Sequence, residues 1–113
     1  MKQYYRLEFY VPTNQLSLVK NAVFEAGAGR LAHYDHCSWE TAGKAQMMIP
    51  GAAGQLGTLR ATEETKVEVI VAEDRLQDAV NALVAKHPAE QPVFCYYPVG
   101  IGFPPDDDTD DAQ

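Results

Sequence analysis

A strand-and-helix unit is written twice in this chain, sixty positions apart, and that repetition limits the available folds more than any other feature. Tyr5-Arg6-Leu7-Glu8-Phe9-Tyr10-Val11 is answered by Thr65-Lys66-Val67-Glu68-Val69-Ile70-Val71, and the match continues from Leu16 to Phe24 and from Leu76 to Val84. Glu8/Glu68, Val11/Val71, Leu16/Leu76, Asn21/Asn81 and Ala22/Ala82 are identical. In the first copy Tyr5, Leu7, Phe9 and Val11 alternate with Tyr4, Arg6, Glu8 and Tyr10, the pattern of a strand with one core face. Pro12 ends the strand, and Thr13 or Asn14 is placed to cap the helix that follows. Leu16, Val19, Val23 and Ala26, flanked by Phe24, form one apolar helical stripe. Gly27 stops that helix, because glycine readily takes the left-handed conformation a helix end requires.

The second copy follows the same grammar. Val67, Val69 and Val71 line a strand, Glu73-Asp74 put acid at a helix start, and Leu76, Ala79, Val80, Leu83 and Val84 make the stripe. Pro88 closes the helix, and residues 93–97 read as a last strand. Between the copies, 30–40 reads as extended, 46–49 as its antiparallel return, 51–57 as a loop and 58–64 as the lead into the second-copy strand. Two βαβ halves in this order predict an α+β, ferredoxin-like βαββαβ sandwich: a four-stranded antiparallel sheet with both helices on one face. Tyr4, Tyr10 and Ile70 then fall on the other face, which favours packing of sheets between subunits.

The length suits one domain, residues 1–103. Five of the sixteen carboxylates lie in the last eight residues, so 104–113 is expected to be a disordered acidic tail. Without those five the net charge of −7 would be −2, with no basic stripe for a nucleic-acid duplex. No apolar run approaches the roughly 20 residues of a membrane helix, and no signal-peptide stretch opens the chain. A cytoplasmic location with free Cys37 and Cys95 is the expectation.

Gly27-Ala28-Gly29-Arg30-Leu31-Ala32-His33-Tyr34-Asp35-His36-Cys37 resembles the Gly-x-Gly-x-Ile-Gly-x-Tyr-x-x-Cys stretch in the insert domain of YqfO-type, Nif-three-like proteins. Glu73-Asp74-Arg75-Leu76 resembles that family's second-helix start. His87-Pro88-Ala89-Glu90-Gln91-Pro92 resembles its His-Pro-Tyr-Glu-Glu-Pro segment, which is also similar to CutA proteins. Ala32 stands where the family has glycine, and Ala89 where it has an aromatic. The resemblance covers roughly residues 4–99 and implies a PII/CutA-like variant of the ferredoxin fold that forms a homotrimer. The family's dinuclear metal centre belongs to flanking domains, so the resemblance carries no hydrolase activity to this chain.

Two segments outside the repeat hold the candidate site residues. Gly27, Gly29, Arg30 and Tyr34, with His87 and Glu90, are candidates for a ligand-binding cleft between subunits. For Gly27 and Gly29 a backbone concavity for an anion competes with plain helix capping and strand entry. His33, His36 and Cys37 form a candidate site for zinc or copper, with Asp35 and His87 as further donors. On an ideal strand His33, Asp35 and Cys37 would share a face. Cys37 with His33 or His36 also has the residue types of a nucleophile and base. The leading expectation is a non-enzymatic trimeric module that senses a small molecule or regulates another protein. Metal-ion binding and a small cysteine-dependent enzyme are the alternatives.

Overall fold

The computed structural model describes residues 2–102. The acidic tail expected at 104–113 lies outside the described residues. The element order is β1 (Tyr4–Pro12), a 3-10 turn (Thr13–Gln15), α1 (Leu16–Glu25), β2 (Trp39–Ile49), β3 (Thr58–Ala72), α2 (Glu73–Lys86) and β4 (Phe94–Val99). The strands form one antiparallel sheet in the order β2-β3-β1-β4.

The two repeat strands become the central pair of this sheet. Tyr5 lies opposite Val71, Glu8 opposite Glu68 and Val11 opposite Thr65. A local two-fold axis therefore passes between Glu8 and Glu68, the glutamates the two copies share. Leu7, Phe9, Val11, Val67, Val69 and Val71 point to one side of the sheet. There they join Val19, Val23 and Phe24 of α1 and Ala79 and Leu83 of α2 in a single core. Each fully buried aliphatic or aromatic side chain contributes about 1.5–3 kcal/mol, so this layer accounts for most of the stabilisation.

Gly27 ends α1 as predicted. At φ +109° its N–H donates to the Phe24 carbonyl (2.9 Å), while the Ala28 N–H donates to the Val23 carbonyl (3.1 Å). This pair of bonds is a Schellman cap. The predicted side-chain cap at the helix start is absent: α1 has no capping side chain, and the Thr13 hydroxyl instead pairs with the buried Thr65 hydroxyl at 3.0 Å.

The segment 30–40 departs from the extended reading. Gly29, Ala32 and His36 all have positive φ, at +83°, +51° and +57°. Leu31 and Tyr34 exchange backbone hydrogen bonds of 3.0 and 2.8 Å across a two-residue turn, and the Cys37 N–H returns to the Gly29 carbonyl at 2.9 Å. The result is a closed loop, and the strand starts only at Trp39. The loop has a place in the sheet. Beyond Glu68 the outer edge of β3 has no β2 partner, and the Gly29 N–H donates to the Ile70 carbonyl there at 2.8 Å.

The stretch 46–49, expected as the antiparallel return of 30–40, is instead the end of β2 and pairs with 58–61 of β3. The two strands pair from Trp39↔Glu68 to Ile49↔Thr58, whereas β1 covers β3 only as far as Glu64. The distal part is a two-stranded arm with no helix behind it. It gives the chain extents of 62 × 23 × 23 Å and a radius of gyration of 17.0 Å, against about 13 Å for a compact chain of this size.

Candidate functional site

The helix-free face of the sheet carries two features: a charged centre and a groove. At the centre Glu8 and Glu68 stand side by side on paired strands, a costly placement for like charges. The repeat also supplies the compensation. Arg6 Nη1 lies 3.3 Å from Glu68 Oε1, and its counterpart Lys66 places Nζ 3.7 Å from Glu8 Oε1. Symmetry ends at the flanking strands. β4 brings the Tyr97 hydroxyl to donate to Glu8 Oε2 at 2.6 Å and Cys95 Sγ to within 3.8 Å of Oε1, whereas Glu68 has Trp39 as its outer neighbour. The Tyr97 hydrogen bond holds the Glu8 carboxyl below its ordinary value; desolvation opposes this and Lys66 adds to it. The same bond raises the Tyr97 phenol. Sequence reasoning did not select these residues, although the paired Arg6-x-Glu8 and Lys66-x-Glu68 were visible in the repeat.

The groove lies where the arm leaves the body of the sheet. It has a volume of about 620 Å³ and is bounded by Tyr10, Val93, Glu64, Lys66 and β2 residues 41–47. Its floor is low because β2 contributes Thr41, Ala42, Gly43 and Ala45 there, and a Cβ built on Gly43 would meet nothing within 4 Å.

The residues predicted for a site occupy two separate places. Gly27 and Gly29 are buried, and both of their N–H groups are already donated within the chain. Arg30 Nε lies 3.8 Å from Asp35 Oδ1, and Tyr34 is exposed on the same loop. Asp35 also stands 3.3 Å from His36 Nδ1, and the His36 ring packs 4.8 Å from that of Phe24. His33 is exposed, and half-buried Cys37 directs its thiol at the Asp35 carbonyl (3.8 Å). Because the loop is a turn, His33, Asp35 and Cys37 do not share a strand face. Among the described residues no three His, Cys, Asp or Glu side chains are grouped to hold a metal ion.

His87 sits at the opposite edge. Its Nε2 lies 2.6 Å from the Tyr10 carbonyl, and its Nδ1 accepts the Ala89 N–H at 3.0 Å. Those contacts fix the Nε2–H tautomer and make the imidazole a strap between the end of α2 and β1. Glu90 is exposed on the turn that follows. The chain then passes Val93, whose carbonyl accepts the Tyr10 N–H at 3.3 Å, so this segment borders the groove. The 27–37 loop lies against the outer edge of β3 and the 87–93 segment against β1 on its β4 side. Within one chain they do not meet.

No family model matches the chain. Its sequence is 38% identical over 102 residues to the "GTP cyclohydrolase 1 type 2 homolog" of Mycobacterium tuberculosis, covering 82% of this chain and 27% of that protein. The protein of the same name from Halalkalibacterium halodurans is 32% identical over 99 residues, with 84% and 27% covered. A solved Bacillus cereus protein related to NIF3 superposes with a TM-score of 0.76 at 28% identity, over 87% of this chain and 26% of that one. The chain is a homologue of one segment of these YqfO-type, NIF3-related proteins. It spans about a quarter of the length of the curated relatives it matches. Two smaller proteins share the fold over nearly their whole length. CutA of Archaeoglobus fulgidus, described as a periplasmic divalent cation tolerance protein, has a TM-score of 0.64 at 16% identity, covering 88% of this chain and 87% of CutA. Bacillus subtilis GlnK in complex with ATP has a TM-score of 0.62 at 10% identity, covering 86% and 82%. The fold of this NIF3-type homologue is thus PII/CutA-like. No helix among its described residues is long and apolar enough to cross a membrane.

Proposed function

We propose that the chain is a non-enzymatic, cytoplasmic, homotrimeric module that senses a small ligand, or regulates a partner protein, through a cleft between subunits. The groove beside Tyr10 and Val93 carries this reading. Its volume lies within the range of about 300–1,000 Å³ common for small-ligand sites, and it offers Lys66, Glu64 and the Tyr10 hydroxyl beside apolar walls. One chain builds its floor and one flank. A neighbouring copy would supply the missing side, setting its 27–37 loop near the 87–93 segment of the first. Arg30 and Tyr34, both exposed, are the groups of that loop that would face a ligand, with Glu90 opposite. Light scattering at micromolar concentration should give three times the 12.5 kDa chain mass. ATP, the ligand named for GlnK, and a set of small anionic metabolites serve as probes, read by NMR shifts at Tyr10, Lys66 and Val93. A clean monomer, or a trimer in which those signals stay unmoved by every probe, would refute the reading.

A metal-binding reading draws on one observation: His36, Asp35 and Cys37 are held within a single short loop, with Asp35 and His36 3.3 Å apart. A second copy would have to complete the coordination of zinc or copper around His33, His36 and Cys37. Titration with either ion, using Cys37→Ser as control, tests this, and binding no tighter than about millimolar ends it. An enzymatic role for Cys37 would require fast thiol alkylation at neutral pH.

A further inference from the structure

A single imidazole holds the connector between α2 and β4. Among the described residues, the bond from the Ala89 N–H to His87 Nδ1 is the one hydrogen bond made by any group of 88–92. Pro88 and Pro92 have no N–H to give, and Glu90 and Gln91 are exposed. The next tie is the Tyr10 N–H to the Val93 carbonyl, long at 3.3 Å. The other ring nitrogen completes the circuit, with Nε2 lying 2.6 Å from the Tyr10 carbonyl. β4 pairs with β1 only as far as Phe9, so beyond it both backbone groups of Tyr10 are met by the 87–93 segment. This circuit closes only around a neutral ring. Nδ1 accepts the Ala89 N–H through its lone pair, and a proton on Nδ1 occupies that lone pair. Two N–H groups then face each other across 3.0 Å, while Nε2–H still donates to Tyr10. Protonation thus keeps the strap to β1 and breaks the hold on the connector. Among the described residues the His87 ring makes no ion pair that would oppose this. Lys86 at the end of α2 and Glu90 on the connector are both exposed, β1 has its Arg6 and Glu8 engaged with Glu68 and Lys66, and β4 opens with uncharged Phe94.

We infer that His87 is an acid-released latch: the neutral imidazole holds 88–92 against β1, and the imidazolium lets it go, loosening the Val93 side of the groove. Histidine is the side chain whose charge ordinarily changes between about pH 5 and pH 8, so the latch works within that window. It is shut at the upper end and opens as pH falls. Loss of one neutral hydrogen bond should lower the closed population roughly two- to tenfold. The latch itself needs no ligand. Its consequence, weaker holding of a molecule beside Val93 in acid, rests on the groove reading above.

An NMR titration of the whole chain without added ligand, from about pH 8 to about pH 5, tests this. The Ala89 and Val93 amides should move in step with the His87 ring signals, Ala89 upfield as its bond is lost. Two variants separate the two nitrogens. His87→Asn carries an acceptor oxygen in the place of Nδ1 and does not titrate, so its Ala89 amide should keep its place at every pH. His87→Gln reaches the Tyr10 carbonyl and leaves Ala89 without an acceptor, so its Ala89 amide should already sit upfield at the alkaline end. Ala89 and Val93 amides that stay still while the His87 ring titrates overturn the latch. An undiminished acid shift in His87→Asn also overturns it, by assigning the shift to another group. Should a variant prove unfolded by circular dichroism, the agreement of ring and amides in the unsubstituted chain decides alone. A latch that opens in a protein whose groove takes no probe stands as a latch and loses only its consequence for binding.

Discussion

Gly29→Ala should destabilise the protein by about 2–4 kcal/mol, and Gly54→Ala provides its internal control. The two glycines have nearly the same backbone, with φ of +83° and +81°. An alanine in either position pays about 1–2 kcal/mol for a left-handed conformation and recovers about 0.4–1 kcal/mol from the stiffer unfolded chain. Their surroundings differ. A Cβ on Gly54 meets nothing within 4 Å, whereas one on Gly29 comes to 3.0 Å from Cys37 N, Cys37 O and Phe24 Cδ1. Two of those atoms are backbone, and Cys37 N is held by its hydrogen bond to the Gly29 carbonyl. Forcing them apart belongs with overpacking penalties of about 1–3 kcal/mol. The difference between the two variants isolates this contact term. Urea unfolding followed by far-ultraviolet circular dichroism, at one fixed protein concentration, should separate their midpoints by about 1–2 M at ordinary denaturant sensitivity. Equal midpoints would show that the loop is not clamped against β3 and α1 as described.

Ala32→Gly should stabilise the chain by about 0.5–1 kcal/mol, since alanine sits at φ +51° there; a lower melting temperature would contradict this. Thr65→Val should cost about 1 kcal/mol by leaving the Thr13 hydroxyl without its 3.0 Å partner, measured by thermal unfolding. The Glu8–Tyr97 bond fixes two signs of pH dependence. The folded Glu8 value is lowered, so its contribution is full above the ordinary value of 4.5 and lost as pH falls below it. The folded Tyr97 value is raised, so its contribution is full below 10.0 and lost as pH rises through the folded value. Tyr97→Phe should move the Glu8 carboxyl titration upward by NMR and remove the alkaline loss; an unmoved Glu8 would count against the bond.

The fold was legible because its signals are periodic. Alternation in the repeat strands and the Leu16 and Leu76 stripes place one face of each element in a single core, and the order of elements does the rest. The failures have physical causes. β2 is exposed almost throughout, so burial imprints no alternation on it, and its Ala42, Gly43 and Ala45 carry no strand preference. The 30–37 loop was read as extended because only Gly29 announces a positive φ, while Ala32 and His36 adopt one without glycine's signature. For the site, residue type drew attention to His33, His36, Cys37 and His87. The geometry gives His87 a strapping role and sets Tyr10, Lys66 and Val93 around the groove. A groove built by an arm leaving a sheet depends on where β1 stops pairing, which no local motif records.

The paired Arg6–Glu68 and Lys66–Glu8 contacts leave a diagonal row of charge on the open sheet. Two adjacent glutamates sit at its centre and a cation stands at each end, so the four groups sum to zero. A half-turn about the local axis between the glutamates leaves the signs of this row unchanged. A partner surface therefore meets the same charge pattern in either of two orientations, and only the flanking Tyr97 and Trp39 distinguish them.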